Sequence, residues 1–216
     1  MEGSGRLAGL LGPVLATVGL FAVPSVAEER DSALVRGLDV LAATAALGLA
    51  AASDGIAALS AELAALDPAV RGSLAPMLAR WIAESRDAAV HEGVEPVPQS
   101  IRAALAGFVP DEILDRARWR VDGGGVLSLQ QTLFRSGYVP AVTLEHVIVF
   151  DRERDALEDA ALWAHELKHV MQYAEWGVDG FALRYLEDYA AIEAEASDYR
   201  RLWLEQRLAA GHGDGG

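Results

Sequence analysis

His165-Glu166-Leu167-Lys168-His169 is the stretch that decides how this chain is read. It has the form His-Glu-x-x-His. Residues four apart on an α-helix share a face, one turn above the other. Two imidazoles placed in this way can hold one Zn²⁺, and the glutamate beside the first can take a proton from a water at the metal. Trp163, Ala164, Leu167, Val170 and Met171 flank the motif, so its helix is largely apolar and predicted to be buried. Buried imidazoles and a buried carboxylate need polar partners, and a metal ion supplies them. The plainer alternative is a surface helix that happens to carry two histidines. The apolar flanks weigh against it.

Asp155 followed by Glu158 has the spacing of a capping box. From Ala156 to Trp176 there is no Pro or Gly, and Gly177 is a natural stop. The motif is therefore predicted in mid-helix. Upstream, Val142 to Phe150 alternates, with Leu144, His146, Ile148 and Phe150 on one side and Thr143, Glu145, Val147 and Val149 on the other. This reads as one strand running into the motif helix, and such a strand could pair with an extended substrate. His146 on it could line a cleft, or be an ordinary strand histidine.

Zinc in a hydrolytic site takes three protein ligands and leaves one position open. A last helix, from Phe181 to about Leu208, offers Glu187, Glu193 and Glu195. Glu193 and Glu195 are two apart and face different directions, so only one of them can bind the metal well. Ala190, Ala194 and Ala196 would let this helix approach the motif helix closely at Glu193. Glu187 reads as a solvated side chain, and Glu195 stays open between the two roles. Glu175 lies six residues after His169, where one class of metalloproteases places its third ligand. That class needs a glycine at the position occupied here by Gln172. Tyr185 and Tyr189 could donate to a developing oxyanion or pack in the core.

Composition sets the outer limits. The chain has 216 residues, 52% of them hydrophobic, which suffices for one domain with an N-terminal extension. It has no Cys, which excludes disulfides, thiolate zinc sites and a cysteine nucleophile. A net charge of −14 argues against nucleic acid as a partner. Leu7 to Ala27 is a near-continuous apolar run after Arg6, ending Ser25-Val26-Ala27 before Glu28-Glu29-Arg30. Residues 1–27 are therefore expected to be a signal peptide, or an uncleaved membrane anchor, placing the protein in the periplasm or outside the cell. Residues 28–92 read as an Ala-rich helical region, with Asp67-Pro68 opening a helix through about Ala89. Residues 93–210 read as the domain that holds the motif. In it, short helices are expected at Gln99 to Ala106 and from Pro110-Asp111 to about Ala117. A strand at Trp119 to Asp122 and a turn at Gly123-Gly124-Gly125 are expected next. Residues 211–216 read as a disordered tail, with His212 inert.

From about Pro96 the chain resembles the eCIS core-domain family, a domain of unknown function with a zincin-like metallopeptidase motif. The resemblance lies in Pro98-Gln99-Ser100-Ile101-Arg102-Ala103-Ala104-Leu105, then Phe108-Val109-Pro110, Ala141-Val142-Thr143-Leu144 and Val147-Ile148-Val149-Phe150. It continues through Ala164 to Tyr173, Gly177 and Glu193-Ala194-Glu195-Ala196. It implies an α+β, mostly helical fold: a zincin-like core of the gluzincin type with a small β-sheet, preceded by the Ala-rich helices. It also implies His165, His169 and Glu193 as metal ligands and Glu166 as catalytic base. Relatives often follow the Glu-x-x-Ala segment with an aspartate that supports the ligands; here Ser197 stands there, with Asp198 next. The expected function is a zinc-dependent metallopeptidase acting on a peptide or protein substrate outside the cytoplasm. The alternative is a catalytically silent, zinc-stabilised interaction domain associated with a secretion or contractile-injection system.

Overall fold

The computed structural model describes residues 65, 67–121 and 140–213. The readings for residues 1–27, for the Ala-rich helices before Asp67 and for the glycine turn at 123–125 lie outside the described residues. The described chain is α+β and mostly helical. In order it forms α1 (Pro68–Glu92), β1 (Glu95–Pro96), α2 (Gln99–Leu105), α3 (Asp111–Arg116) and β2 (Arg118–Val121). After the undescribed segment come β3 (Ala141–Leu144), β4 (Val147–Phe150), α4 (Glu153–Glu158), α5 (Ala160–Glu187) and α6 (Tyr189–Gly213). The strands make one mixed sheet in the order β1-β2-β4-β3. β2 and β4 run parallel, and the outer pairs run antiparallel.

Asp67 caps α1, accepting from the Ala69 amide at 2.7 Å, and Pro68 follows at the first helical position. Proline costs nothing there, because that amide has no helical partner in any case. The expected strand from Val142 to Phe150 is instead a hairpin. Leu144 pairs with Val147, so Glu145 and His146 form a two-residue turn with Glu145 at φ 58°. The turn moves Leu144 onto the same face as Val147 and Val149, opposite Ile148 and Phe150. Period-two alternation misled here because every residue of both strands is buried. A strand covered on both faces has no polar side to mark its register.

The positive φ at Glu145 is held from outside the hairpin. Its carboxylate accepts from Arg86 of α1 and, at 2.8 Å, from Arg116 of α3. Burial alone would raise its pKa, but the two guanidiniums, with His146, hold it below the ordinary glutamate range. The turn is thereby tied to both α1 and α3.

The motif helix also starts later than the capping-box spacing suggests. Glu153–Glu158 is a separate short helix, and Asp159 caps α5, accepting from the Leu162 amide at 2.8 Å. Gly177 ends the first arm of α5 as expected, at φ 70° and ψ 172°. A left-handed φ costs a residue with a Cβ roughly 1–2 kcal/mol, and glycine nothing. The chain then folds back on itself. On a straight helix, residues eight apart stand about 12 Å apart along the axis. The rings of Tyr173 and Phe181 instead stack with centroids 3.8 Å apart. Asp188 breaks the expected last helix, accepting from the Ala191 amide at 3.0 Å, and α6 runs on through Gly213 into the stretch read as a tail.

Both faces of the sheet are packed. On one lie Val142, Leu144, Val147 and Val149, with Leu74, Leu78 and Ile82 of α1 and Phe181 and Leu186 beyond the Gly177 break. Packing therefore does not separate residues 68–92 from the sheet. On the other lie Ile148 and Phe150, with Trp119, Trp163, Leu167 and Val170. Trp163 is fully buried; its indole donates to the Ala156 carbonyl at 2.7 Å and its ring lies 5.0 Å from that of Phe150. Truncating a core aromatic of this kind typically costs about 3–5 kcal/mol.

Candidate metal centre

The first arm of α5 carries His165 and His169 one turn apart, and α6 packs alongside it. The Nε2 atoms of the two histidines are 3.2 Å apart. Glu193 of α6 brings Oε2 to 3.4 Å from His165 Nε2 and Oε1 to 3.5 Å from His169 Nε2. Four ligands around one ion at 2.0–2.1 Å are separated by roughly 3.3–3.4 Å when tetrahedral. The donor set fits a divalent ion in both spacing and chemistry. His165, His169 and Glu193 are the group, among the described residues, that could hold a metal ion.

The electrostatics point the same way. Burial pushes the His165 imidazole down, but its contact with Glu193 and the nearby charge of Glu166 hold it above 6.5. Burial would raise Glu193, yet the two histidines hold it below 4.5. In the metal-free protein a proton thus occupies His165 to above pH 6.5, while Glu193 stays ionised. That pair stabilises the metal-free fold between the lowered Glu193 value and the raised His165 value, and its contribution is lost as pH moves beyond either. A metal must displace the same proton. Zinc affinity is therefore expected to weaken as pH falls through the raised His165 pKa. Titration calorimetry from about pH 8 to about pH 5.5 reads this directly, since His is the side chain that ordinarily changes charge in that window. An affinity independent of pH across it would remove His165 from the ligand set.

Glu166 is 4% exposed, and its Oε2 accepts from the Thr143 hydroxyl of β3 at 2.6 Å. Behind His169, Nδ1 lies 2.8 Å from Gln172 Oε1. Gln172 Nε2 donates to Glu195 Oε2 at 2.6 Å, and Lys168 Nζ meets Glu195 Oε1 at 2.8 Å. Glu193 and Glu195 thus have different places: one faces the histidine pair, the other meets His169 only through Gln172. Asp198 does not support the histidines. It is exposed and pairs with Arg201 at 3.0 Å.

The other candidates are not among the donors. Glu175 and Glu187 are exposed and outside the donor group. His146 sits in the hairpin turn, 3.7 Å from Glu145, and burial with the charges of Arg116 and Arg86 holds its pKa below the usual value. Tyr185 and Tyr189 pack with ring centroids 4.8 Å apart beside the core. Burial raises both phenols well above 10, and the Glu193 charge adds to the effect. The strand expected to receive substrate is interior: β4 lies between β2 and β3. β3 is the outer strand, but its four residues are buried and Tyr173 donates to the Thr143 carbonyl at 3.4 Å.

Thr143, Lys168, Gln172 and Glu195 were not assigned these roles from sequence. Two left a trace. Thr143 is a hydroxyl in an otherwise apolar run, and Gln172 is a polar residue three positions after His169 on an apolar helix face.

Residues 96–177 match the family model of the eCIS core domain. The resemblance noted from Pro96 onward is thereby borne out over this segment. No curated protein and no solved structure matches the chain. The eCIS core segment contains Thr143, His165, Glu166, His169 and Gln172, and it ends at Gly177, where α5 breaks. Glu193 and Glu195 lie beyond the matched residues.

Proposed function

We propose that this chain is a zinc-dependent metallopeptidase with a zincin-like core, hydrolysing peptide or protein substrates outside the cytoplasm. The observation that carries the reading is the convergence of His165, His169 and Glu193, with Glu166 on the same helix and oriented by Thr143. Two imidazoles and one carboxylate suit zinc better than the harder, oxygen-seeking cations. Export rests on the apolar run Leu7 to Ala27 and its Ser-x-Ala end.

When bound, zinc supplies Lewis acidity, polarising a carbonyl oxygen and acidifying water toward pKa ~7. The chain's own part is proton transfer and orientation. Thr143 engages Glu166 Oε2, which leaves Oε1 to accept the proton of the attacking water. As the C–N bond breaks, Glu166 returns that proton to the leaving nitrogen. His165, His169 and Glu193 hold the ion, and the apolar packing of α5 keeps the ligands in place.

The test is metal content together with turnover. Purified protein is expected to carry about one zinc per chain, as single three-ligand sites do. Hydrolysis of a broad peptide library should stop on chelation and return with added Zn²⁺. Protein that cannot take up zinc would overturn the proposal.

One observation favours a second reading, the silent zinc-stabilised interaction domain. Glu166 and His169 are only 4% and 6% exposed, so the neighbouring carboxylate and one ligand lie away from solvent, while His165 and Glu193 are part-exposed. Stoichiometric zinc with no hydrolysis of any library peptide would select it.

A further inference from the structure

The outer side of the centre holds an unbroken series of polar groups whose donor and acceptor roles allow one arrangement. Lys168 can only donate, and its Nζ lies 2.8 Å from Glu195 Oε1. Glu195 Oε2, as part of a carboxylate, needs a donor as well. The nearest is the Gln172 side-chain amide, so its NH₂ must turn that way, at 2.6 Å. The same nitrogen faces a second acceptor, the Ile192 carbonyl, at 3.4 Å. With the amide fixed in this sense, Gln172 Oε1 faces His169 Nδ1 at 2.8 Å. A carbonyl oxygen can only accept. Nδ1 must therefore carry the proton, and the lone pair of His169 is left on Nε2, the atom turned toward His165 and Glu193.

Gln172 is 1% exposed, so water cannot readily replace either partner. Resting on the metal reading above, we propose that Gln172 is a positioning residue which, oriented by Glu195 and Lys168, locks His169 in the tautomer that presents Nε2 to a metal ion. Metal-bound histidines ordinarily give their second N–H to a carboxylate, a backbone carbonyl or water. Here a neutral side-chain amide takes that place, with a carboxylate one step behind it. α6 acts on the site twice, directly through Glu193 and at one remove through Glu195.

The experiment uses the full chain, stripped of metal by a chelator, with two readouts. Long-range ¹H–¹⁵N spectra of the metal-free protein report which nitrogen of His169 is protonated. Titration with Zn²⁺ alone at one pH reports affinity. Wild type is expected to show His169 protonated at Nδ1. Gln172→Leu, close in volume but without an acceptor, should weaken zinc about 10–100-fold and release His169 toward the Nε2–H form. Gln172→Glu alone sets two carboxylates against each other and should also weaken binding. The double variant Gln172→Glu/Glu195→Gln reverses the polarity of that contact and keeps the hydrogen bonds to His169 and Lys168, losing only the 3.4 Å one to the Ile192 carbonyl. It should restore both affinity and tautomer, which a role in packing alone would not require. If Gln172→Leu fails to fold, as judged by circular dichroism, Glu195→Ala and the double variant carry the test.

An Nε2–H His169 in wild type would overturn the proposal, as would a double variant no better than Gln172→Glu. If wild type takes up no zinc, the metal reading falls, while the tautomer measurement still decides this one.

Discussion

Glu193→Ala is expected to lose zinc binding by at least about a thousandfold, beyond the 10–100-fold typical of residues that only support a ligand. The argument is geometric. Glu193 is the carboxylate that meets both imidazoles, at 3.4 and 3.5 Å. Its removal leaves two ligands on one helix and nothing from α6 to close the site. Glu175→Ala and Glu187→Ala, on exposed positions of α5, should bind zinc as wild type does. Glu195→Ala should fall between, because its effect passes through Gln172. Competition against a chromophoric chelator gives all four affinities on one scale. If Glu195→Ala loses the metal while Glu193→Ala keeps it, the donor group described above is wrong.

The second large effect falls on turnover. Glu166→Gln should lower peptide hydrolysis about 10²–10⁴-fold, the usual contribution of general acid–base catalysis, with zinc content unchanged. The amide keeps the shape and can still receive the Thr143 hydroxyl, but it cannot take a proton. Thr143→Val should lower turnover by a smaller factor: the carboxylate survives and loses only the 2.6 Å contact that orients it. Comparing zinc content with kcat for the two variants separates base from support. Full activity in Glu166→Gln would show that the proton goes elsewhere.

The helical pairs were legible because their signals are local. His165 and His169 share a helix face by spacing alone, and Asp67-Pro68 and Gly177 mark helix ends through backbone chemistry that needs no tertiary partner. That only one of Glu193 and Glu195 can face the metal also followed from helix geometry; the choice of Glu193 came from its alanine neighbours and from the family resemblance. What failed depended on the surroundings. The hairpin was hidden because both faces of β3 and β4 are buried. Its turn rests on Glu145, a poor residue for φ 58° without Arg86 and Arg116. Asp155 and Asp159 both offer a capping carboxylate, but Asp155 lies inside the short helix α4 and Asp159 caps α5. The Gln172–Glu195 contact joins residues 23 apart. It depends on how α6 rotates against α5, which no spacing rule encodes.

The way the sheet ends bears on how the protein behaves when crowded. An open strand edge is a template for another chain, and association through such edges is a common route to aggregation. Here β1 is two residues long and includes Pro96, which has no amide hydrogen to offer. At the far side β3 is buried along its length, and Tyr173 occupies the Thr143 carbonyl. The contact at Thr143 also blunts the sheet, so neither described edge gives a neighbouring copy an open ladder on which to add a strand.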